Sequence, residues 1–546
     1  MRSVDYDYVI VGAGSAGCVL ANRLSADGHH SVLLLEAGPA DTYPWIHVPI
    51  GYAKTMFNPR FNWCFYTEPD PGMNERKIYW PRGKTLGGSS SINGLISVRG
   101  QREDYDHWAA TGNTGWSYDE VLPYFKRLEH AVDGDPAYHG RDGPVWCSPI
   151  RRRHELIDAV IAGAGELGIA RNDDFNGAVQ EGAGYYHLST RRGWRCSAAA
   201  AYLRPVRRRP NLRVETGAYV TRIAFDRRRA AGVGYRRRGA TLTVRARREV
   251  LLCAGALQSP QLLQLSGVGP GELLKSFSIP VVHELAGVGE NLQDHLQARV
   301  IYECTRPITT NDDLASLWRT IGMGVDYLFT RDGPMAVGIN QGGIFARACP
   351  GATTPDVQFH IATLSSDMAG SPTHEFSGFT MSVCQLRPQS RGSVRIRSAD
   401  PTSPPAMQPN YLSTPEDRDT LVAGIRLARR LAATGALAPY VKTEYRPGPA
   451  ARTDHELLEF AKDTGGTIFH PSGTCKMGDT ARDPRAVVDG ELRVHGLAGL
   501  RVVDCSIMPT LTSGNTNIPV IMIAEKAADM ILRDAGASSD PPKEIR

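Results

Sequence analysis

The first residues whose types and spacing predict chemistry are three glycines, Gly12, Gly14 and Gly17. They form the pattern GxGxxG, which follows an apolar run at 8–11 and opens a segment of helical spacing at 15–25. In such a turn the first glycine permits the tight bend, the second lets the backbone approach a pyrophosphate, and the third lets the helix pack on the strand. The helix then directs free N–H groups at the anion. The pattern therefore predicts a dinucleotide site.

Glu36 supports this interpretation. It ends a second apolar run at 32–35, about 20 residues beyond the glycines, as in dinucleotide-binding units. A carboxylate at this place suits the hydroxyl groups of an adenosine ribose and repels a 2′-phosphate. Strand, turn, helix, strand and acid together predict a βαβ unit with a right-handed crossover. These features alone do not distinguish FAD from NAD.

Three further segments decide between the two cofactors. They read RGKTLGGSSSING at 82–94, GALQSP at 255–260 followed by SGVG at 266–269, and HPSGTCKMG at 470–478. Together they resemble the glucose–methanol–choline (GMC) oxidoreductase family, from residue 6 to about residue 532, and within it the bacterial alcohol and choline dehydrogenase-like branch. The resemblance implies an α/β fold, in which a Rossmann-like FAD-binding domain carries an inserted α+β substrate domain built on an antiparallel sheet.

The segment at 82–94 also has a direct physical interpretation. Two glycines followed by three serines give a flexible turn whose hydroxyls and bare amides can wrap an anion or a polar ring edge. By resemblance it lies along the FAD diphosphate and the isoalloxazine ring. For Trp63, ordinary core packing is the open alternative to cofactor contact. Together with the GxGxxG turn, the resemblance assigns to FAD binding the residues Gly12, Gly14, Ser15, Ala16, Gly17, Glu36, Ala37, Trp63, Arg82, Gly83, Leu86, Gly87, Gly88, Ser89, Asn93, Gly94, Val220, Asp504, Asn515, Thr516 and Asn517.

Ile92 predicts how the flavin is held. In family members with covalently attached flavin, a histidine stands at this position. Isoleucine cannot form that bond, so we expect non-covalent FAD.

The resemblance also places two side chains at the reaction centre, His470 and Asn515. Alcohol oxidation needs a base for the hydroxyl proton and an acceptor for a hydride, which in this family is flavin N5. Neutral imidazole is a competent base near pH 7. Asn515 can hold the alcohol oxygen without competing for the proton. We therefore expect oxidation of an alcohol to an aldehyde with His470 as the base.

Two apolar residues beside the histidine bear on the substrate. By resemblance Ile468 and Phe469 wall the substrate cavity, which favours a primary alcohol with an apolar body, aliphatic or aryl. A choline-type substrate needs aromatics and an acid around its cationic head, and the sequence locates no such cage. Choline dehydrogenase and an oxygen-using alcohol oxidase stay open as alternatives. The electron acceptor, a quinone, another carrier or oxygen, also stays open.

Three rival functions are weighed against this one. The family includes flavin-containing hydroxynitrile lyases, which are plant proteins with secretory features, and the chain shows none of these. A lyase would leave its flavin oxidised when substrate is added without air. An NAD-dependent dehydrogenase would be colourless when purified. A flavin-binding protein without catalysis would not need the pair of His470 and Asn515.

The elements that must position these residues follow from hydrophobic periodicity. Segment 38–100 reads as long ordered loops, and the alternation at 357–361 and 394–396 predicts an antiparallel sheet. The tail from 535 is expected to be frayed. Strands are predicted at 8–11, 32–35, 212–214, 220–225, 250–252 and 500–503, and helices at 15–25, 119–128, 154–167, 258–265, 417–433 and 520–532. We expect residues 1–155, 205–305 and 465–546 to form the FAD-binding domain, and 156–204 and 306–464 the substrate domain.

Composition limits the partners and the compartment. The net charge of the 546 residues is only +5, which predicts neither a nucleic acid nor an anionic lipid as a partner. Ten cysteines without a CxxC pair argue against a zinc site or a redox dithiol and favour a reducing compartment. No run of about 18 apolar residues predicts a membrane span, and early aspartates leave no room for a signal peptide. We expect no metal and a cytoplasmic protein, with attachment to the inner-membrane surface left open.

Overall fold

Two seven-stranded sheets, each with its own apolar core, organise the computed structural model of the chain. The structure describes residues 5–368 and 370–536. The predicted α/β class is confirmed. The tail that was expected to be frayed begins at 535, and its residues from 537 onward lie outside the described part of the chain.

The first sheet places the GxGxxG turn at the carboxyl end of its central strand. Asp5–Val11 pairs in parallel with Val32–Glu36 on one side and with the last residues of Ala240–Leu252 on the other. Every residue of Val32–Glu36 is buried, as expected for a parallel strand covered on both faces. The strands lie in the order Leu212–Thr216, Val32–Glu36, Asp5–Val11, Ala240–Leu252, Arg229–Arg237 and Tyr219–Asp226, with Leu500–Val502 paired in parallel to Ala240–Leu252.

The second sheet is antiparallel throughout, as predicted. Val357–Ala362 and Gly378–Gln385 are buried along their whole length, and Pro415–Ala432 packs on them so closely that a Cβ at Gly424 would lie 2.6 Å from Val383. The strands lie in the order Val441–Arg446, Leu296–Cys304, Gly378–Gln385, Val357–Ala362, Asn340–Ala346 and Gly182–Tyr185, with Gly466–Thr467 paired to Leu296–Cys304.

Six predicted helices are present, and none of their ends is shifted by more than three residues. His154 lies just outside the third of them and accepts a hydrogen bond from the Leu156 amide at its start. Helices at Arg102–Ala110, Leu317–Thr330 and Asp454–Thr464 were not predicted. The predicted helices are Ser15–Leu24, Tyr118–Leu128, Glu155–Glu166, Gly255–Leu265, Pro415–Ala432 and Asn517–Asp534.

Three strands differ from the places expected for them. Leu296–Cys304 and Gly466–Thr467, both in ranges expected to form the FAD-binding domain, form their hydrogen bonds in the second sheet. The segment at 394–396 contributes Ser393–Arg395, which pairs with Ala406–Gln408 in a separate two-stranded sheet. The sequence of a strand indicates which of its residues are buried but not which strand it pairs with, so sequence alone could not place any of the three. The division of the chain into two domains stays a prediction.

Candidate active site

The three glycines of the turn differ in how much space surrounds the position that a Cβ atom would occupy. Gly12 has a φ of +97°, and a Cβ there would lie 2.5 Å from the Cys253 carbonyl oxygen. A Cβ at Gly17 would lie 1.9 Å from the Gly12 carbonyl oxygen, because the helix packs directly on the strand end. At Gly14 no atom lies within 4 Å of that position, and this residue lines a cavity. The turn therefore leaves room for a ligand at the glycine where a pyrophosphate is expected.

Two helices begin at this cavity. Ser15–Leu24 and Asn517–Asp534 both lack a side-chain cap and have no acidic residue in their first turn. Their first residues meet, since the Ser15 hydroxyl donates to the Asn517 side-chain oxygen at 2.7 Å. Each uncapped N-terminus offers backbone N–H groups without a partner in the helix, and each is the positive end of a helix dipole. Both properties favour binding of an anion such as a diphosphate.

Glu36 lies beside the turn. Its carboxylate accepts hydrogen bonds from the backbone amides of Ala13 at 2.9 Å and Gly38 at 2.8 Å. Burial raises the pKa of Glu36 to about 7. The side chain lines the cavity, where a ribose hydroxyl is expected.

Most of the residues predicted to bind the cofactor line this one cavity. Leu86 and Gly87 do not, because their amides donate to the carbonyls of Pro39 and Ala13 and fix the course of the second glycine-rich turn. Gly17 lies behind the turn. The predicted residues that line the cavity are Gly12, Gly14, Ser15, Ala16, Glu36, Ala37, Trp63, Arg82, Gly83, Gly88, Ser89, Asn93, Gly94, Val220, Asp504, Asn515, Thr516 and Asn517.

Trp63 and Asp504 are held by the protein as well as exposed to the cavity. The Trp63 ring stacks on Phe65 at 5.8 Å, and the Lys84 ammonium lies 4.6 Å from its centre. Both predicted interpretations of Trp63, packing and a place beside the cofactor, are therefore compatible with its position. The Asp504 carboxylate accepts from the Gly255 amide at 2.8 Å and the Ser259 hydroxyl at 2.6 Å. Asp504 thus secures the start of the helix Gly255–Leu265 against the cavity.

His470 and Asn515 lie together at the other end of the same cavity. The His470 Nε2 atom is 3.3 Å from the Asn515 side-chain nitrogen. Both predicted substrate residues, Ile468 and Phe469, line the cavity next to them. An imidazole from the last third of the chain and the N-terminal glycine turn therefore share one cavity.

A second histidine, His295, was missed by the sequence reasoning. Its Nε2 atom lies 2.9 Å from the Leu386 carbonyl oxygen, and its Nδ1 atom lies 3.0 Å from His470 Nδ1. A carbonyl oxygen only accepts, so His295 Nε2 must carry the proton, and its Nδ1 accepts from His470 Nδ1–H. This assignment leaves the lone pair of His470 on Nε2, which faces the cavity.

Asn515 is oriented by a similar chain. The Tyr186 hydroxyl donates to the Phe359 carbonyl at 2.7 Å, so it accepts from the Gln358 amide nitrogen at 2.9 Å. The same nitrogen donates to the Asn515 side-chain oxygen at 3.1 Å. The Asn515 NH₂ group is thereby directed at His470 Nε2.

Burial keeps the imidazoles of the site neutral. It lowers the pKa of His470 well below 6.5, and nearby His295, His360 and Arg82 lower the pKa further through charge repulsion. Burial also lowers the pKa of His295 to about 4 and, with His295, the pKa of His360 to about 3. At neutral pH, His470 therefore holds a lone pair ready to accept a proton.

The backbone at His470 is fixed by ionic groups. Its N–H donates to Asp294 at 2.8 Å, and the other oxygen of that carboxylate accepts from the Tyr411 hydroxyl. Phe469 has a φ of +73°, which is uncommon for a bulky residue, and the Arg82 guanidinium donates to its carbonyl at 2.6 Å. The sequence signal for Asp294 and His295 was available, as adjacent titratable residues directly before the strand Leu296–Cys304.

The cavity carries little negative charge near the histidine. Among the described residues that line it, the acidic ones are Glu36 and Asp504, and both accept hydrogen bonds from the dinucleotide-side backbone. Arg82 lines the cavity close to His470 and carries a positive charge. Other lining residues are apolar or neutral and polar, among them Tyr52, Met56, Gln297, Asn340, His360, Ile468 and Phe469.

The described residues, 5–368 and 370–536, contain neither a candidate metal cluster nor a candidate membrane-spanning helix. No group of three or more His, Cys, Asp or Glu side chains there is arranged to hold a metal ion. No helix there combines the length and the apolar character needed to cross a membrane.

Known proteins resemble the chain over most of its length. Family profiles described as GMC oxidoreductase match residues 6–297 and 388–524. A Pseudomonas putida protein named alcohol dehydrogenase (acceptor) is 43% identical over 537 residues, covering 98% of this chain and 97% of that protein. The mitochondrial choline dehydrogenase of Mus musculus is 43% identical over 535 residues, covering 96% and 89%. A solved FAD-dependent oxidoreductase from Chaetomium thermophilum superposes with a TM-score of 0.90 at 26% identity, covering 98% of this chain and 100% of that one.

Proposed function

Because the chain belongs to the GMC oxidoreductase family, we propose that it is an FAD-dependent dehydrogenase that oxidises an uncharged primary alcohol, aliphatic or aryl, to the aldehyde. The observation that carries this proposal is the lone pair of His470 Nε2, held beside the Asn515 amide in the cavity that also contains the glycine turn. When bound, FAD accepts the hydride that the alcohol carbon loses.

The chain's own residues fit FAD. Two uncapped helix N-termini suit its diphosphate, the open position at Gly14 admits it, and Glu36 suits a ribose. We assign its binding to the lining residues predicted from the sequence. We assign its domain to 1–155, 205–305 and 465–546, apart from the strands Leu296–Cys304 and Gly466–Thr467, which pair in the second sheet. Residues 156–204 and 306–464 are assigned to the substrate domain.

His470 and Asn515 handle the hydroxyl group. The alcohol O–H donates to His470 Nε2, and its oxygen accepts from the Asn515 NH₂ group, a geometry that fits the 3.3 Å between the two nitrogens. As the C–H bond breaks, the hydroxyl proton passes to Nε2 and the oxygen keeps the electron pair that becomes the C=O bond. The Asn515 amide and the new imidazolium both stabilise negative charge that develops on this oxygen.

His295 is a positioning residue in this scheme. It touches neither the cavity nor the alcohol, but it accepts the Nδ1 proton of His470 and so keeps the lone pair on the reacting nitrogen. The Leu386 carbonyl fixes the tautomer of His295 in turn.

Non-covalent attachment of FAD is the second part of the proposal. Ile92 lines the cavity and offers no nucleophile. Two thiols, Cys253 and Cys505, also line it. Burial raises the pKa of Cys253 well above its ordinary value and that of Cys505 to about 12. Both thiols are therefore protonated at neutral pH, and a thiol reacts as a nucleophile only as its thiolate.

The substrate is proposed to be uncharged because the walls around His470 carry no carboxylate. A quaternary ammonium group needs an aromatic cage or a negative charge to replace its water. Tyr52 and Phe469 offer aromatic surface, but Arg82 lines the cavity with a positive charge, while the carboxylate bound to the His470 N–H, Asp294, does not line it. Choline is therefore a poor fit, even though choline dehydrogenases are among the relatives.

The electron acceptor is proposed to be a quinone or another carrier. The Pseudomonas putida relative is named for an unspecified acceptor, whereas several choline dehydrogenases among the relatives are named oxygen-dependent, so oxygen uptake is the measurement that decides between a carrier and oxygen. We propose a cytoplasmic enzyme that reaches such a carrier at the surface of the inner membrane.

A panel of alcohols tests the function. Purified yellow enzyme is assayed with an artificial electron acceptor beside a measurement of oxygen uptake. Dye reduction without oxygen uptake identifies a dehydrogenase, whereas equal oxygen uptake identifies an oxidase. Substrate added without air should bleach the flavin; flavin that stays oxidised while substrate is cleaved would identify a lyase and overturn the proposal.

A further inference from the structure

The helix Leu317–Thr330 lies on the surface with its apolar side chains exposed. Of its fourteen residues, Tyr327 is the buried one. Trp318 is 81% exposed and Phe329 is 86% exposed. Isolated exposed apolar residues are common, but a continuous patch on one element marks an interaction surface. The exposed large apolar side chains of this helix are Leu317, Trp318, Ile321, Val325, Leu328 and Phe329.

The exposed side chains form one stripe. Their positions recur at intervals of three and four residues, which keeps them on the same side of a helix. Tyr327 anchors the other side, where its hydroxyl donates to the Gly193 carbonyl at 2.9 Å. We call this element the apolar helix. Leu317, Trp318 and Phe329 are the most exposed side chains of the stripe, whereas Ile321, Val325 and Leu328 line a shallow groove that Trp45 and Trp194 also line.

Arginines flank one end of the apolar helix. Arg152 pairs with Asp326 on the helix at 2.7 Å, which brings the run 151–153 alongside it. The turn that contains Arg191 and Arg192 lies next to Gly193, which contacts Tyr327 and Arg331. All five arginines of 151–153 and 191–192 are exposed. In the described part of the chain, ion pairs with carboxylates form at Arg152 but not at the other four.

The acidic groups of the region are already engaged. Asp326 pairs with Arg152, Asp313 lies 3.6 Å from Arg319, and Asp312 caps the preceding short helix through Thr309. Asp332 accepts from the Gly333 amide. In the described part of the chain, the four arginines here without an ion pair outnumber the two carboxylates without one, Asp312 and Asp332, so the local net charge is positive, although the net charge of the whole chain predicted no anionic lipid partner.

We propose that the apolar helix docks the enzyme on the surface of an anionic lipid bilayer. A helix in the plane of a membrane buries Trp, Phe and Leu side chains at the headgroup boundary, while adjacent arginines bind anionic headgroups. This arrangement matches the stripe and the arginines beside it. A second copy of the chain fits less well, since a two-fold contact would bring each patch and its unpaired arginines against the same patch on the partner.

The test compares the holoenzyme with two double variants in vesicle sedimentation. Vesicles consist of phosphatidylcholine, with or without phosphatidylglycerol. Trp318→Ser with Phe329→Ser removes the two most exposed aromatics, and Tyr66→Ser with Val179→Ser removes exposed apolar side chains elsewhere. We expect the wild type to sediment with phosphatidylglycerol vesicles, the first variant to bind at least about tenfold more weakly, and the second to bind like the wild type.

A third variant tests the charge. Replacing Arg151 and Arg153 with Ala should weaken binding on the order of fivefold for each arginine and reduce its dependence on salt. All variants should retain flavin and turnover with a soluble acceptor. Wild-type protein that stays in the supernatant with both vesicles, or a Trp318→Ser, Phe329→Ser variant that binds like the wild type, would overturn the proposal. So would a wild-type dimer that this variant dissociates in the absence of lipid.

Discussion

The His470 Nε2 atom and the Asn515 side-chain nitrogen are 3.3 Å apart, and the hydrogen-bond chain behind each residue fixes its orientation. Replacing His470 with Ala should keep the flavin but lower kcat by about 10²–10⁴, the contribution of a positioned base. Flavin content and kcat of the purified variant are measured together. The scheme requires the loss in kcat to exceed any rise in KM.

Replacing Asn515 with Ala tests whether Asn515 binds the alcohol oxygen, independently of the base His470. Asn515→Ala removes the group that holds the alcohol oxygen, and we expect kcat/KM to fall by about 10²–10³. Turnover that is unaffected in either variant would show that the reaction uses a different part of the cavity.

The pH profile should follow from the buried position of His470. A base acts only when unprotonated, and burial lowers the pKa of His470 well below 6.5. A lower pKa means that the active, neutral form persists to lower pH. We therefore expect kcat/KM to stay constant as the pH falls past 6.5 and to decline only on further acidification. An acid limb centred above 6.5 that disappears in the His470→Ala variant would contradict this assignment.

His295 should affect rate through the tautomer of its neighbour. His295→Leu leaves the Nδ1–H of His470 without an acceptor. His470 can then adopt the other tautomer, which carries its proton on Nε2 and has no lone pair for the alcohol, so kcat should fall about 10–100-fold. His295→Gln offers a carbonyl oxygen to the same proton and should recover most of the rate. A role in packing alone predicts that Leu, which has no polar group to bury, is tolerated at least as well as Gln. The comparison of the two variants is therefore decisive.

Flavin should be released when the protein is denatured. Ile92 offers no bond to the ring, and the cavity thiols are protonated at neutral pH. Acid precipitation followed by absorbance of the supernatant measures the released fraction. Yellow colour that remains in the pellet would require a covalent link. An Ile92→His variant serves as a comparison, since it restores the residue of covalent family members.

Choline should be a poor substrate. An unpaired buried charge costs several kcal/mol, so kcat/KM for choline should be at least about 100-fold lower than for a neutral primary alcohol of similar size. The two substrates are compared with the same artificial acceptor. Choline turnover equal to that of the neutral alcohol would contradict the prediction and would mean that the cavity rearranges to stabilise a cation.

Local sequence was sufficient for the glycine turn, because each of its three glycines is required by a neighbour within the same βαβ unit or by the ligand. It also predicted six helices from their periodic apolar faces. Adjacent titratable residues marked 294–295 as a candidate, but the roles of His295 and Gln358 could not be assigned, since each acts through a contact with a residue more than 150 positions away. The membership of Leu296–Cys304 in the second sheet was missed for the same reason. The helix at 317–330 was not predicted, and the exposure of its apolar side chains depends on how the described chain packs around it, which its own sequence does not state.

The hydrogen-bond chain from His470 through His295 also constrains how His470 loses its proton after each turnover. It runs through one imidazole and stops at the Leu386 carbonyl, a group that cannot take up or hand on a proton. His295 cannot hold a second proton at neutral pH either, because burial lowers its pKa to about 4. The proton gained in each turnover therefore has no exit at the rear and must leave from Nε2 on the cavity side. Recovery of the base consequently depends on a proton acceptor that reaches Nε2 through the cavity.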